Sequence, residues 1–522
     1  MDPARRPGAP PHPQPPRGED PGASPLLARW GAFAHESRPA VLDAAGSHSF
    51  SAIDDSSRRV AHALLGGGRS PSARRVALLI SPGADWVSAF YGVLRAGGCV
   101  VVLSPMHPPA ETTYFCDDAQ VDTLIASPDL ASRLDGIART RRLLTTDALH
   151  REPAATQMPR IEATSAALQL YTSGTTGKPK GAVLTHANLG VQQDSIGRAW
   201  SHSARDVLVH ALPLHHLHGL GIALLNLLGA GGCARMLPHF DAEAIWESLR
   251  EDTLFMGVPT MYTKLFAAFD AADEATRARW TANARALRLA TRGSAALPVT
   301  VGERWRGITG AYPLERFGMT EIGVGMSNPL AGPRKPGMVG LPVEGIEARI
   351  VDDNENDAPS GELWVRGPSV FAGYWKREDA THAAFADDVQ GGERWFKTGD
   401  TVTRDEDGWF KILGRTSVDI LKSGGFKLSA LEIEEVLREH ASVGEVAVVG
   451  IPDETWGERV VACVVPQAGH ECSEVVLRAF AKERLASYKV PKEVIAMTEL
   501  PRNAIGKVQK PELVKRLLEG RS

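Results

Sequence analysis

Tyr171-Thr-Ser-Gly-Thr-Thr-Gly-Lys-Pro-Lys-Gly181 places Ser and Thr hydroxyls, three glycines and two lysines directly after the apolar run Ala166-Ala-Leu-Gln-Leu170. Glycines let backbone N–H groups converge on an anion, hydroxyls add donors, and lysines supply charge. The segment therefore reads as a strand running into a loop that wraps phosphates. In an open α/β sheet such loops stand beyond the carboxyl ends of the strands.

The segment does not fit a Walker loop. Gly174-Thr-Thr-Gly177-Lys178 has too few residues between its glycines and continues into Pro179, where Ser or Thr would hold magnesium. Upstream, Val76-Ala-Leu-Leu-Ile80, a helical-period stretch over 86–94, Ala96-Gly-Gly98 and Cys99-Val-Val-Val-Leu103 read as strand, helix, turn and strand of a buried parallel sheet. The alternation returns at Thr123-Leu-Ile-Ala126, over 208–212, at Leu254-Phe-Met-Gly257 and at Leu287-Arg-Leu-Ala290. The fold class that follows is α/β, a large N-terminal body of doubly wound, mainly parallel sheets. Past Gly337 short alternating runs between Asp, Asn, Gly and Pro turns predict an antiparallel, β-rich subdomain. From about Arg415 a helix with the apolar stripe Leu431, Val436 and Leu437, strands over 446–449 and 460–465, and a helix over 473–485 predict a small α+β domain. The expected division is a disordered Pro-rich lead-in over 1–25, a body over 26–415, and a mobile C-terminal domain over 416–522.

Bulk composition narrows the function classes. Of 522 residues, 43% are apolar and 23% charged, an ordinary globular balance. The net charge of −4 gives no electrostatic case for nucleic acid, so any phosphate binding must be local. The five cysteines form no Cys-x-x-Cys pair, which argues against a disulfide framework or a zinc site and fits a reducing compartment. Apolar runs fall well short of the ~20 residues a membrane span needs. The first residues lack an apolar signal core and carry Asp2, Glu19 and Asp20, which weighs against a transit peptide. The expectation is a cytoplasmic protein, or a mitochondrial-matrix one if eukaryotic, acting as monomer or homodimer.

Four further segments follow the phosphate loop: Gly293-Ser-Ala295, Phe317-Gly-Met-Thr-Glu321, Thr398-Gly-Asp400 with Gly414-Arg415, and Asn503-Ala-Ile-Gly-Lys507. In kind and order they resemble the motifs of the adenylate-forming superfamily of acyl-CoA synthetases, luciferases and adenylation domains, over roughly residues 25 to 515. The resemblance implies two half-reactions: a carboxylate attacks the α-phosphate of ATP and expels pyrophosphate, then the thiol of coenzyme A displaces AMP. It implies that Thr172, Ser173, Gly174, Thr175, Thr176, Gly177, Lys178 and Lys180 wrap the β- and γ-phosphates. Gly293, Ser294 and Ala295 lie against the adenine, Asp400 and Arg415 hold the ribose, Thr320 meets the α-phosphate, and Glu321 helps hold Mg²⁺. Lys507 is the implied catalytic lysine, bridging the incoming carboxylate and the α-phosphate. Ser423, Gly424 and Gly425 border the pantetheine tunnel, and 416–419 lies at the hinge of the small domain.

Within that superfamily the segments 327–337, 414–425 and 314–322 look most like malonyl-CoA synthetases, including the mitochondrial malonate and methylmalonate enzyme. Malonate keeps a second carboxylate after the first is activated, and burying it without a partner costs several kcal/mol. A guanidinium matches it in bidentate fashion. Arg334, at the subgroup's malonate-binding position, and Arg292, just before Gly293, are the two candidates. Ser327 is a hydrogen-bonding neighbour and His216 a pocket-wall residue.

Overall fold

The apolar runs with no polar face become central strands. Arg75–Leu79, buried at every position, pairs in parallel with Cys99–Val102 on one side and Thr123–Ala126 on the other. The computed structural model describes residues 23–66, 75–172, 178–293, 298–387, 394–502 and 508–519. In it these strands centre a seven-stranded sheet, extended in parallel by Ala166–Thr172 and Arg142–Thr145, then in antiparallel fashion by Lys180–Thr185 and Gly373–Tyr374. A nine-stranded sheet runs in parallel through Leu314–Met319, Leu289–Arg292, Leu254–Gly257, Val207–His210, Cys233–Met236 and Pro39–Asp43. Antiparallel strands close its edges, Gly323–Ser327 with Leu341–Pro342 at one and Gly46–Ser49 at the other. Helices Phe50–Leu65 and Ala84–Arg95 pack on each other and on strands of both sheets, and one apolar core joins these layers. A second core, with Leu79, Leu103, Phe115 and Leu124, covers the far face of the seven-stranded sheet.

The alternating runs past Gly337 form Glu347–Val351, Ser360–Arg366, Trp395–Arg404 and Phe410–Arg415, all antiparallel. Beyond them Ile420–Ser423, Phe426–Ser429, Val443–Asp453 and Gly457–Pro466 make a further antiparallel sheet, to which Glu493–Ala496 adds in parallel. Helices Ala430–Arg438 and Glu474–Arg484 contribute to the core on one face, and Lys510–Glu519 to the core on the other. The buried residues of these two cores all come from Leu421 or later.

Three local expectations need correction. In the helix Ala430–Arg438 the buried residues are Ala430, Ile433, Glu434 and Leu437, while Leu431 and Val436 are only half-buried. A buried glutamate disguised that stripe: Glu434 pairs with Lys510 at 2.7 Å and accepts from the Val448 N–H at 2.8 Å. The strand expected from Leu287 spans Leu289–Arg292, and Arg288, just before it, pairs with Asp206 at 2.8 Å. Of the lead-in, 1–22 lies outside the described residues, whereas 23–25 belongs to the body. Ala23 bridges to Glu162, and the Ser24 hydroxyl accepts from the Leu27 N–H at 3.1 Å, capping the helix Pro25–Gly31. Among the described residues no helix is long and apolar enough to cross a membrane.

Candidate active site

The phosphate-loop segment connects two antiparallel strands, with Thr172 opposite Lys180, and so differs from the strand-to-helix turn of a Walker loop. Its flanks are anchored. The Tyr171 hydroxyl reaches Asp118 at 2.8 Å, Tyr114 donates to the Pro179 carbonyl at 2.8 Å, and Lys178 lies over the Tyr114 ring at 5.3 Å. Thr320 and Glu321 form the tip between strands Leu314–Met319 and Gly323–Ser327, where the chain doubles back and no helix begins. Glu321 is buried, and the Tyr374 hydroxyl donates to its Oε1 at 2.9 Å. Burial pushes its carboxyl above the usual range, against the pull of that hydroxyl and of the Arg415 and Lys180 charges. Lys180 stands 5.3 Å over the Tyr374 ring. Tyr374 thus joins the cluster from 53 residues past Glu321, with no motif to announce it.

Asp400 and Arg415 face each other across paired strands, Arg415 Nε lying 3.3 Å from Asp400 Oδ1. A second Arg415 nitrogen donates to the Thr398 carbonyl at 2.6 Å, which fixes the guanidinium over the strand. Burial pushes the Asp400 carboxyl up to about 6, and Asp419, Glu321 and Glu362 add to the rise while Arg415 opposes it. Lys180, Glu321, Asp400 and Arg415, from three separate motifs, therefore share one electrostatic neighbourhood. A buried acid pair flanked by cations is a setting for a ligand that carries hydroxyls at one end and phosphates at the other.

On the acid side the structure brings Arg292, Glu315, Arg316 and Ser327 to the same strand ends. Arg292 is ion-paired with Glu315 in a site where both are buried, and Glu315 also accepts from the Gly337 N–H at 2.8 Å. Arg334 donates to the carbonyls of Tyr312 and, at 3.3 Å, Leu330. Both expected arginines are therefore engaged. Arg316 differs: it is 3% exposed, and its Nε and Nη2 are buried with no hydrogen-bond partner among the described residues. Burial, with the nearby Arg292 charge, pushes its guanidinium down to about 9, so it stays protonated at neutral pH. Its cross-strand partner is Ser327, whose hydroxyl accepts from Trp200 Nε1 at 3.0 Å and donates to the Asn328 carbonyl at 2.8 Å.

Gly293 also leaves room for a neighbouring side chain. A Cβ there would run into the Arg316 guanidinium. Glu315 is paired with Arg292, while Nε and Nη2 of the adjacent Arg316 have no hydrogen-bond partner among the described residues, a setting that favours an anion at Arg316. The sequence carried a signal, since Glu315-Arg316 puts two adjacent charges inside a buried strand, and charges are rarely buried without a partner. His216 is half-buried, its ring 4.2 Å from that of His215, just before the π-helical segment His218–Leu225 that packs on Gly323–Ser327.

In the C-terminal sheet, Gly424 and Gly425 form a two-residue hairpin turn with φ of 57° and 80°, left-handed values that favour glycine at both positions. Ser423, beside them, is buried. The segment 416–419, expected to be the hinge, forms a turn in which Asp419 accepts from the Arg415 N–H at 3.0 Å. The other Asp419 oxygen takes Lys510 Nζ at 2.5 Å. Arg502 and Val508 bridge, and Gln509 N–H donates to the Pro501 carbonyl at 2.8 Å, so the base of the segment 503–507 is closed. Ser173, Gly174, Thr175, Thr176, Gly177, Ser294, Ala295 and Lys507 lie outside the described residues.

Residues 28–375 match the AMP-binding enzyme family, and 432–507 match the AMP-binding enzyme C-terminal domain. The chain is 39% identical to the mitochondrial malonate–CoA ligase ACSF3 of Bos taurus, covering 95% of this chain and 90% of that protein. Among solved structures, ATP-bound MatB from Rhodopseudomonas palustris superimposes with a TM-score of 0.86 at 33% identity, over 95% of this chain and 99% of that one. A malonyl-CoA ligase ternary product complex with methylmalonyl-CoA and AMP gives 0.66 at 35% identity, over 92% and 100%. With these matches spanning nearly its whole length, the chain belongs to the AMP-binding enzyme family.

Proposed function

We propose that the protein is an ATP-dependent malonate:CoA ligase that works through a malonyl-AMP intermediate. The observation that carries the acid assignment is Arg316, a buried, protonated guanidinium beside Gly293 and Ser327 whose Nε and Nη2 have no hydrogen-bond partner among the described residues. A dicarboxylate meets that charge with its distal carboxylate, while its proximal carboxylate is left to attack. The relatives named malonate–CoA ligases and the malonyl-CoA ligase structure support the same substrate, and methylmalonate is a further candidate.

In the first half-reaction a carboxylate oxygen bonds to the α-phosphorus as the bond to the β-phosphate oxygen breaks and pyrophosphate leaves. Such a step brings anions together and needs charge neutralisation and in-line positioning above all. Lys180 and Lys178 supply charge at the phosphates, Thr320 a hydroxyl at the α-phosphate, and Asp400 with Arg415 hold the ribose. Lys507 draws the carboxylate and the α-phosphate together. In the second half-reaction the CoA thiol, arriving past Ser423, Gly424 and Gly425, attacks the acyl carbon and AMP departs.

Glu321 fits a magnesium ligand, a buried carboxylate oriented by the Tyr374 hydroxyl at one oxygen. Among the described residues no group of three or more His, Cys, Asp or Glu could hold a metal. A magnesium held at Glu321 would supply positive charge to the phosphates. The cytoplasm or the mitochondrial matrix provides ATP and CoA for this chemistry, and a monomer or homodimer is proposed.

The test is AMP release that requires both malonate and CoA, across a panel of C2 to C6 mono- and dicarboxylic acids. Acetate or a medium-chain acid outperforming malonate by more than about tenfold in kcat/KM would overturn the substrate assignment. A pH profile tests the nucleotide site. Asp400 ionises near 6, so above that pH it is ready to accept the ribose hydroxyls, and below it a proton must first be lost. The KM for ATP is expected to stay flat from pH 7 to 8 and to climb towards about tenfold per unit below pH 6. Asp400→Asn is expected to bind ATP more weakly at neutral pH and to lose that acid limb; an unchanged limb would assign it to another group.

A further inference from the structure

The helix Val299–Thr309 starts without a cap of its own: Pro298 precedes it and offers no side-chain acceptor. Its first N–H, on Val299, instead donates to Glu435 Oε1 at 2.7 Å, a carboxylate from the helix Ala430–Arg438, 136 residues later. The other oxygen of Glu435 takes Arg438 Nη1 at 3.2 Å, so both ends of the carboxylate are oriented. The charge of Glu435 also reaches Arg292 and Tyr312, two groups of the acid side. A negative group at a helix N-terminus is favourable, and the more so where it is partly withdrawn from water. Here it joins the C-terminal sheet to the segment that follows Gly293.

Ala430, Ile433 and Leu437 bury the helix that carries Glu435 in the C-terminal core, so the helix must travel with that sheet. Any rotation about 416–419 therefore breaks the bond to Val299, while the Arg438 pair travels along and keeps Glu435 partnered. The contact is specific to one arrangement and reversible. In shape the chain is nearer to the ATP-bound relative than to the ternary product complex, at similar identity. Lys427 and Asp353, 2.5 Å apart, make a second but exposed contact between the same parts, and exposed pairs hold little.

We propose that Glu435 is a positioning residue for the first half-reaction, an interdomain helix cap that holds the C-terminal domain in the ATP-loading arrangement and lets go for thioester formation. The inference rests on the two-step ligase reading. It is tested by single-turnover rates of the whole enzyme: pyrophosphate release from ATP and malonate without CoA, then thioester formation when CoA is added to the adenylate formed on the enzyme. Glu435→Ala is expected to slow the first rate by about three- to tenfold and to leave the second unchanged or faster. Glu435→Gln, which keeps an acceptor without the charge, is expected to fall between the two, and it keeps the comparison possible if the alanine variant folds poorly. Equal slowing of both steps, or no change in either, would overturn the proposal. Wild-type protein that forms no adenylate with malonate would instead remove the ligase reading, and on whichever acid it does activate, the ratio of the two rates still tests Glu435.

Discussion

Lys507→Ala is expected to lower malonate-dependent pyrophosphate release by about 10²–10³-fold or more, the range seen when a charge-stabilising group is removed from a transition state. Thioester formation from supplied malonyl-AMP is expected to change little. The difference follows from the chemistry: only the first step drives one anion onto another, whereas the second has an already activated acyl group and a thiol. Under the proposed function, ground-state binding of ATP is shared with Lys180, Asp400 and Arg415, so the KM for ATP is expected to move less than kcat. Stopped-flow traces of each half-reaction separate the outcomes, and an equal loss in both would remove the bridging role.

Arg316→Met is the second large effect. The kcat/KM for malonate is expected to fall by about 10²–10³-fold, the cost of removing one member of a buried, charge-assisted pair. Propionate, which has no distal carboxylate, is expected to change by less than about threefold or to improve, because the variant no longer buries an unmatched charge. For the same reason the ligand-free variant is expected to melt at or above the wild-type temperature, while malonate protects the wild type alone. An equal loss on both acids would mean that Arg316 only shapes the strand. Arg334→Ala is the control: its guanidinium already serves two carbonyls, so the expected loss on malonate is within about tenfold and reflects loop order.

The sheet architecture was legible wherever both faces of a strand are buried. Thr123–Ala126 and Leu254–Gly257 lie where their apolar runs predict, because a continuous Val, Leu or Ile run flanked by turn residues has few other homes. The stripe of Ala430–Arg438 was misread because Glu434 belongs to it, and a buried ion pair is invisible to a hydrophobic pattern. Thr320-Glu321 shows a similar limit: cap residues also suit a hairpin tip, and only the antiparallel pairing decides between them.

At the site, Glu321, Asp400 and Arg415 stood out because their motifs are short and ordered along the chain. Tyr374 and Arg316 did not, since the neighbours of each are remote in sequence or across a sheet, and no local spacing encodes that. The arginines that did attract attention, Arg292 and Arg334, proved to have protein partners, a property that depends on the fold.

The residues on either side of 503–507 are tied down. Val508 is bridged to Arg502, Gln509 is tied to Pro501, and Lys510 is clamped between Asp419 and Glu434. Val508, Gln509 and Lys510 are thus fixed to the C-terminal domain, and under the proposed function the cation supplied by the adjoining segment is presented only as that domain is. Its effective molarity at the reacting phosphorus would then be governed by the angle of the domain, and on that reading the switch between chemistries would be one of concentration as much as of contact.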